Sequence, residues 1–288
     1  MNVIVVFKVF RCNGIAAMSA TDIPLFDSLA HPSLDGSWIN PRWSGQNSFP
    51  QVIEAMKEAN VRWAWAVSMG TRDGYDVDQY VQQCAKAEVR MFPAAFMNVS
   101  EFSSLAAAED WLVARNHQGF LGVKLHPRLG RFDFQHPFLP SIIGTANRLG
   151  LIPLLCTYFY SAHPACRTLS MHTLRELLCM VPDQKLILLH GGLMHVLEMS
   201  EMTRHFKNTL LDLSFTLCEF AGTSVDLDLR YVMDRCQGRT CLGSDSPEFQ
   251  PSRVRERFEE LTRGFSLEHR EKLAFRNMFE FTGLPAGF

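Results

Sequence analysis

The feature that most constrains this fold is an eightfold alternation of short apolar segments with longer amphipathic segments. Each apolar segment is four to eight residues long and has the length and composition of a buried strand. The predicted strands span residues 23–27, 61–67, 89–96, 120–125, 151–156, 185–189, 209–213 and 240–243.

The segments between the strands carry apolar residues three and four positions apart, as expected of helices that bury one face. A last helix is predicted to start after Ser266 and to end at Gly283. The predicted helices span residues 51–60, 77–88, 105–116, 138–149, 172–181, 193–206, 227–236, 251–263 and 267–282. Eight strand–helix repeats are typical of a closed parallel (β/α)8 barrel, or TIM barrel, here with a C-terminal extra helix.

An open doubly wound sheet shares this alternation and is the main alternative fold. Such a sheet usually has about five to seven strands, and no G-x-G-x-x-G motif follows the first predicted strand. No Pro-, Gly- or Ser-rich linker divides the chain. We therefore expect one α/β domain over residues 21–288. Residues 1–20 are interpreted as an N-terminal extension, in which Met18 offers a second translation start.

The composition of the chain argues against nucleic acid and membranes as binding partners. Apolar residues make up 47% of the chain and charged residues 20%, which is typical of a globular protein with a substantial core. A formal net charge of −2 provides no basic field for nucleic acid, and no stretch reaches the roughly 18 apolar residues of a membrane span. Eight cysteines without a C-x-x-C pair are typical of reduced thiols. We expect a cytoplasmic protein, monomer or homodimer, that acts on a small molecule.

Three residues that follow predicted strands can form a metal or acid–base site. In a parallel barrel the carboxyl ends of all strands open onto one mouth. His31 follows the first strand, His190 the sixth, and Asp245 the eighth. Two neutral nitrogens and one carboxylate can hold zinc or another divalent ion with an open position for water. Without a metal, Asp245 can act as general base with His190 as its partner, provided that burial raises the pKa of the carboxylate.

The fourth strand contributes candidate substrate-binding residues. Lys124 is predicted to point into the barrel, where a buried amine needs a carboxylate or a substrate anion. His126 shares the face of Lys124, and Arg128 can bind a substrate carboxylate. Trp38 and Trp43, in the long segment after the first strand, either line the pocket or cover the barrel.

Each candidate also has a structural alternative. Asp245 can cap the helix that follows Pro247, and His190 can be a core histidine. Cys156, at the end of the fifth strand, is better interpreted as a buried structural thiol than as a nucleophile, because the sequence shows no Cys–His pair.

Six segments, in order along the chain, resemble the amidohydrolase-related family, which belongs to the metal-dependent hydrolase superfamily of TIM barrels. The similarity runs from about residue 23 to residue 284, and its segments coincide with the predicted strand ends. They are residues 120–127, 151–155, 185–192, 211–214, 242–247 and 277–279.

The resemblance implies a (β/α)8 hydrolase, decarboxylase or lactonase for a small, often carboxylated substrate, commonly with one zinc or similar ion. The family's ligands are an Asp-x-His-x-His pair after the first strand, a His after the fifth and an Asp after the eighth. Here Leu29 replaces the first His, and Thr157, or Cys156 in a shifted register, stands at the fifth-strand position. His31 and Asp245 keep their ligand positions.

Three hypotheses follow. The leading one is a hydrolase of a carboxylated lactone, ester or amide in which Asp245 activates water, His190 assists it, and the metal site is weakened or absent. His31 and Lys124 then polarise or anchor the substrate. The second is an ordinary zinc- or manganese-dependent hydrolase or decarboxylase in which Cys156 or His190 completes the coordination. The third is a barrel that binds a ligand without turnover.

Overall fold

A closed parallel barrel forms the centre of the molecule. The computed structural model describes residues 23–69 and 75–286, so the predicted extension over residues 1–20 lies outside the described residues. Each strand pairs in parallel with the next along the chain. The strands are β1 (Leu25–Ala30), β2 (Val61–Ser68), β3 (Arg90–Met97), β4 (Gly122–Leu125), β5 (Ile152–Cys156), β6 (Leu186–Leu189), β7 (Thr209–Asp212) and β8 (Thr240–Cys241). This order confirms the predicted (β/α)8 barrel.

Backbone hydrogen bonds between β1 and the segment after β8 close the barrel. The Ser28 N–H donates to the Leu242 carbonyl at 2.9 Å, and the Asp245 N–H donates to the Leu29 carbonyl at 2.8 Å. Gly243 makes this close approach feasible, since a Cβ at this position would lie 2.9 Å from the backbone nitrogen of Leu29. The closure excludes the open sheet, and it fixes Asp245 beside the end of β1.

Helices follow the strands at the predicted places. Two short helices, α4 and α8, are additional to the prediction and follow β4 and β7 at the mouth. The helices are α1 (Phe49–Glu58), α2 (Val77–Lys86), α3 (Leu105–His117), α4 (Pro127–Gly130), α5 (Leu139–Arg148), α6 (Met171–Met180), α7 (Val196–His205), α8 (Thr216–Glu219), α9 (Val225–Arg235), α10 (Pro251–Leu261), α11 (Leu267–Glu271) and α12 (Asn277–Thr282).

The predicted C-terminal helix is present, but a π-helical segment interrupts it. Residues Lys272–Arg276 form this segment between α11 and α12. The Ser266 side chain caps α11 by accepting from the His269 N–H, and Gly283 ends α12 with a φ of 77°. Both predicted ends of the helix are therefore confirmed.

Two apolar layers support the barrel. One layer packs the helices against the outer face of the sheet, and a smaller layer fills the barrel interior. Leu29 and Leu154 belong to the inner layer and are fully buried. The barrel is therefore packed below its mouth, and its polar groups collect at the carboxyl ends of the strands. No helix in the described part of the chain is long and apolar enough to cross a bilayer.

Candidate active site

A pocket of about 320 Å³ opens at the carboxyl ends of the strands. This volume is within the range of small-molecule sites. Residues that lie far apart in the sequence meet in this pocket because the strands that carry them end at the same mouth. The pocket lining includes seven residues named from the sequence, His31, Trp38, Lys124, His126, Arg128, His190 and Asp245.

The floor of the pocket is a group of polar contacts centred on His31. The Nδ1 of His31 lies 3.2 Å from the Val67 carbonyl oxygen, to which it donates. Burial, and then the nearby Lys124, lower the pKa of His31 to about 4, so the ring is neutral at physiological pH. Its Nε2 therefore carries the lone pair. Lys124 Nζ donates to this Nε2 at 2.9 Å, and Asp245 Oδ1 lies 3.2 Å from the same atom.

Lys124 lies inside the barrel and is 2% exposed. Burial lowers the pKa of this amine, and the charges of Asp245 and Cys156 act in the opposite direction. Because Lys124 extends from β4, its amino group can reach the gap between β1 and the segment after β8. The buried amine thus connects two sides of the pocket.

Asp245 is held in an unusual backbone conformation. Its φ is 55°, a region that non-glycine residues seldom occupy outside turns and functional sites. Asp245 does not cap the next helix, because Gln250 occupies the N-cap position of α10. His190 and Phe215, which also line the pocket, have positive φ values of 69° and 64°. Three lining residues therefore share strained backbone geometry.

The pKa of Asp245 shifts in the opposite direction to the one expected from burial alone. Burial raises it, but the charges of His190 and Lys124 and the contact with His31 outweigh burial. The net pKa is well below the usual range, so the condition set for Asp245 as a general base, a pKa raised by burial, is not met. Opposite charges close to the carboxylate dominate desolvation here. Asp245 is therefore a stable carboxylate and a weak proton acceptor.

His190 is oriented by residues at the end of β7. Its backbone N–H donates to Asp212 Oδ1 at 3.1 Å, and its Nδ1 lies 3.2 Å from Ser214 Oγ and 3.4 Å from the Ser214 carbonyl oxygen. The Ser214 hydroxyl donates to Asp212, so its oxygen accepts from the imidazole. This bonding assigns the ring proton to Nδ1 and places the lone pair on Nε2. Burial lowers the pKa of His190, but Cys156 and Asp245 raise it more.

Cys156, rather than Thr157, faces the barrel interior. The Thr157 hydroxyl donates to the Leu189 carbonyl at 2.5 Å and accepts from the Gly192 N–H at 3.0 Å, so it is fully used in structural bonds. The Cys156 thiol contacts His126 and His190. Burial raises the pKa of this thiol, but the two imidazoles lower it more. No sequence signal indicated this Cys–His contact, because the three residues come from different strands.

His126 has a second function at the start of α4. Its Nδ1 accepts from the Leu129 N–H at 3.2 Å and thereby caps the helix. The ring proton is then on Nε2. Burial lowers the pKa of His126, so a neutral ring that donates through Nε2 is favoured.

An aromatic wall with one cation forms the upper part of the pocket. The Arg128 guanidinium lies 3.6 Å from the centroid of the Tyr158 ring, and its buried Nε has no hydrogen-bond partner in the described residues. Trp38 and Trp43 donate through their indole nitrogens to Glu248 at 2.8 and 3.2 Å. Trp38 lines the pocket, whereas Trp43 holds the covering segment in place.

Sequence reasoning missed Tyr158, Phe215 and Glu248 as lining residues. Each lies one to three residues beyond a strand end or a named site residue, and proximity to those ends was the available signal. Asp27, in contrast, is structural. It accepts from the Ser244 N–H at 2.8 Å and the Ser244 hydroxyl at 2.6 Å, and burial raises its pKa to about 7.

The described residues do not fit the divalent metal that the resemblance implies. They contain no group of three or more His, Cys, Asp or Glu side chains arranged to hold an ion. Leu29 is buried in the inner apolar layer, and the Lys124 amino group already uses the Nε2 lone pair of His31. His31, Cys156 and Asp245 therefore do not form the predicted metal site in this structure.

A TIM barrel with titratable side chains at the carboxyl ends of its strands has the architecture of an enzyme. Comparison with known families identifies the family of this chain. Residues 45–277 match the amidohydrolase family model. The chain therefore belongs to the amidohydrolase family. No match was found among curated proteins.

Solved structures share the fold at low sequence identity. An uncharacterised TIM-barrel protein from Bordetella bronchiseptica is 15% identical with a TM-score of 0.74, and the match covers 91% of this chain and 100% of that one. For 5-carboxyvanillate decarboxylase from Sphingomonas paucimobilis, the identity is 12%, the TM-score 0.67 and the coverage 91% and 100%. A dihydroxybenzoic acid decarboxylase from Polaromonas sp. JS666 was solved with bound manganese and 2-nitroresorcinol. It is 13% identical with a TM-score of 0.64, and the match covers 91% of this chain and 97% of that one.

Proposed function

We propose that this protein is a hydrolase that opens a small carboxylated lactone or ester without a resident metal ion. The observation that carries this proposal is the Lys124–His31–Asp245 contact group on the pocket floor. It places an N–H donor and a stable carboxylate side by side, with Nζ 2.9 Å and Oδ1 3.2 Å from one imidazole nitrogen. These groups can polarise a carbonyl and orient a water molecule.

His190 is the proton acceptor in this proposal, and Asp245 supports it. The pKa of His190 is raised and that of Asp245 is lowered, so the imidazole is the stronger base of the two. The Nε2 atom of His190 takes a proton as the oxygen of water attacks the carbonyl carbon. Asp245 stabilises the imidazolium, and the Lys124 N–H group donates to the developing oxyanion.

The second half of the reaction returns the proton. The tetrahedral intermediate collapses, the carbon–oxygen bond to the leaving alkoxide breaks, and the imidazolium of His190 protonates that alkoxide. A lactone gives a hydroxy acid, an ester gives an acid and an alcohol, and in both cases the imidazole is regenerated. An alkoxide leaves more easily than an amine, so a lactone or ester suits this site better than an amide.

Arg128 supports a substrate that carries a carboxylate. Its guanidinium stacks on Tyr158 at 3.6 Å, its Nε is buried without a partner among the described residues, and it faces the pocket. A guanidinium binds a carboxylate through two parallel hydrogen bonds. The aromatic side chains of Trp38 and Phe215 suit a flat ring beside that carboxylate.

Decarboxylation of an aromatic carboxylate is the second candidate. The aromatic pocket wall favours it, and solved structures with this fold include decarboxylases for 5-carboxyvanillate and 2,6-dihydroxybenzoate. In this reaction the same Arg128 would orient the carboxylate that is lost as carbon dioxide. The two candidates differ in product, so a product assay distinguishes them.

The test is a substrate panel with the full-length protein purified in the presence of a chelator. The panel contains five- and six-membered lactones and simple esters, with and without a carboxylate, and hydroxylated benzoates. We expect ring opening or ester cleavage of carboxylated substrates, unaffected by chelator, and a roughly 10²–10⁴-fold lower rate for His190→Gln. His172→Gln is the matched control, because His172 is an exposed residue on α6.

Three outcomes oppose the proposal. Release of carbon dioxide from the benzoates without ring opening of any lactone would establish the second candidate. Loss of all turnover after chelation, with recovery on adding zinc or manganese, would restore the metal-dependent hypothesis. Binding of carboxylated ligands without any turnover would support the non-catalytic barrel.

A further inference from the structure

Two large apolar side chains that line the pocket are exposed instead of buried. Ile39 is 45% exposed and Leu129 is 39% exposed. Exposed apolar residues that lie singly on a surface are ordinary, but two of them at the edge of one pocket form a surface that a ligand can cover. We call Ile39 and Leu129 the apolar rim.

Hydrogen bonds fix the backbone on which the apolar rim stands. Leu129 lies in α4, and its N–H donates to the Nδ1 atom of His126 at 3.2 Å. Ile39 follows Trp38, whose indole N–H donates to Glu248 at 2.8 Å. The exposure of the rim is therefore part of the folded structure, and binding against it requires little further ordering of the chain.

The pocket changes from polar at its floor to apolar at its edge. The floor holds the Lys124–His31–Asp245 contact group. Aromatic rings lie above it, where Tyr158 packs edge-to-face on Phe215 with the ring centroids 6.0 Å apart. A ligand that matches this gradient has its polar atoms at one end and hydrocarbon at the other.

Apolar contacts continue outward from Tyr158. Its ring packs edge-to-face on Tyr160, with the centroids 6.4 Å apart, and the Tyr160 hydroxyl lies 3.4 Å from the Met194 sulfur. Tyr160 and Met194 are each 49% exposed. Hydrocarbon that leaves the pocket along this side therefore meets further apolar surface, which suits a chain of several carbons better than a methyl group.

We propose that the substrate carries an alkyl chain that lies across the apolar rim, with its polar end at the pocket floor. Only the placement of the polar end rests on the proposed function. The rim is continuous with the pocket, and two partly exposed side chains offer far less than the roughly 800 Å² per partner of a stable protein–protein interface. A chain attached to the substrate is therefore the favoured occupant over a second copy of this protein.

The test measures binding without turnover. Full-length protein is titrated, with detection by ligand-observed NMR, with straight-chain carboxylates from acetate to decanoate and with the corresponding primary alcohols. Neither series contains an ester or lactone bond. A fully buried methylene group raises affinity about fourfold, and a rim that covers one side of the chain should raise it about twofold. We expect Kd to fall by that factor for each added methylene.

Substitutions assign this dependence on chain length to the rim. Ile39→Ser combined with Leu129→Ser should remove most of it, and each single substitution should remove part. Leu129→Met keeps an apolar side chain and should retain the dependence. Leu227→Ser is the matched control, because Leu227 is 75% exposed on α9 and does not line the pocket. Circular dichroism checks that each variant is folded.

Three results would overturn the inference. The first is equal affinity along both ligand series, and the second is an unchanged dependence on chain length in the folded double serine variant. The third is a native dimer that this double variant dissociates while chain length has no effect, which would make the rim a subunit interface.

One result separates the inference from the proposed function. If affinity rises with chain length in both series but the carboxylates bind no more tightly than the alcohols, the rim is supported and the preference for a carboxylated substrate is not. Absence of turnover in the substrate panel likewise leaves these binding measurements unaffected.

Discussion

Gly243 is predicted to be the tightest point of the barrel closure, and Gly243→Ala tests this. An added Cβ would lie 2.9 Å from the backbone nitrogen of Leu29 and 3.1 Å from Asp27 Oδ1, and it would overlap Ser28 Oγ. None of these three atoms is the mobile end of a flexible side chain, so none can move away easily. The Ser28 hydroxyl is bonded to Asp212, and the other two belong to β1.

The expected loss of stability follows from two opposing effects. Overpacking of a well-packed site costs about 1–3 kcal/mol, and contacts shorter than 3.0 Å to fixed atoms indicate the upper end. Gly-to-Ala replacement also restricts the unfolded chain, which returns about 0.4–1 kcal/mol. The net change for Gly243→Ala is a loss of about 2 kcal/mol. For a chain of 288 residues that corresponds to a fall in Tm of about 3 °C.

Gly238→Ala is the matched control. Gly238 precedes β8, has no positive φ, and leaves open space around the position that an added Cβ would occupy, with no other atom within 4 Å. The same substitution there should raise stability by about 0.4–1 kcal/mol. Thermal unfolding followed by circular dichroism compares the two variants. Equal Tm values would refute the argument that the β8–β1 closure is sterically limited at Gly243.

Three other predictions concern charge. His190 must be neutral to accept a proton, and Cys156 and Asp245 raise its pKa above the ordinary value of about 6.5 although burial lowers it. The value of kcat/KM should therefore fall as the pH decreases below this raised pKa. In a pH–rate profile, Cys156→Ala should move that fall to lower pH. Burial raises the Asp27 pKa to about 7, so the folded state holds this proton more tightly than the unfolded state. The free energy of unfolding should therefore decrease as pH rises from about 4 to about 7, and urea titrations of Asp27→Asn should show a smaller decrease. Arg128→Met should raise KM for carboxylated substrates roughly 10- to 100-fold, as expected for losing a charged hydrogen bond, and leave KM for uncharged esters unchanged; steady-state kinetics on matched substrate pairs check this.

Much of the fold was predictable because its signals are local. Buried strands and one-sided helices leave a periodic apolar pattern in the sequence, and eight repeats of that pattern specify a closed barrel. The closed barrel then places every strand end at one mouth. For this reason His31, Lys124, His190 and Asp245 could be assigned to one pocket from their positions after strands.

The side-chain orientations and pKa values in the pocket were not predictable, because they depend on contacts between residues that are distant in sequence. The sequence left Cys156 and Thr157 as alternatives, and only the register of β5 shows that Cys156 faces inward, since a slip of one residue reverses the face. The pKa of Asp245 likewise depends on charges that come from other strands.

The sequence by itself determined the barrel, the positions of its strand ends and the loss of a ligand at Leu29. Only the tertiary structure decided which group contacts the Nε2 atom of His31. Lys124 and His31 are 93 residues apart, and the closure of the barrel brings Nζ to 2.9 Å from Nε2. Periodicity reports which face of a strand is buried, but a hydrogen bond across the barrel depends on strand register and side-chain length together.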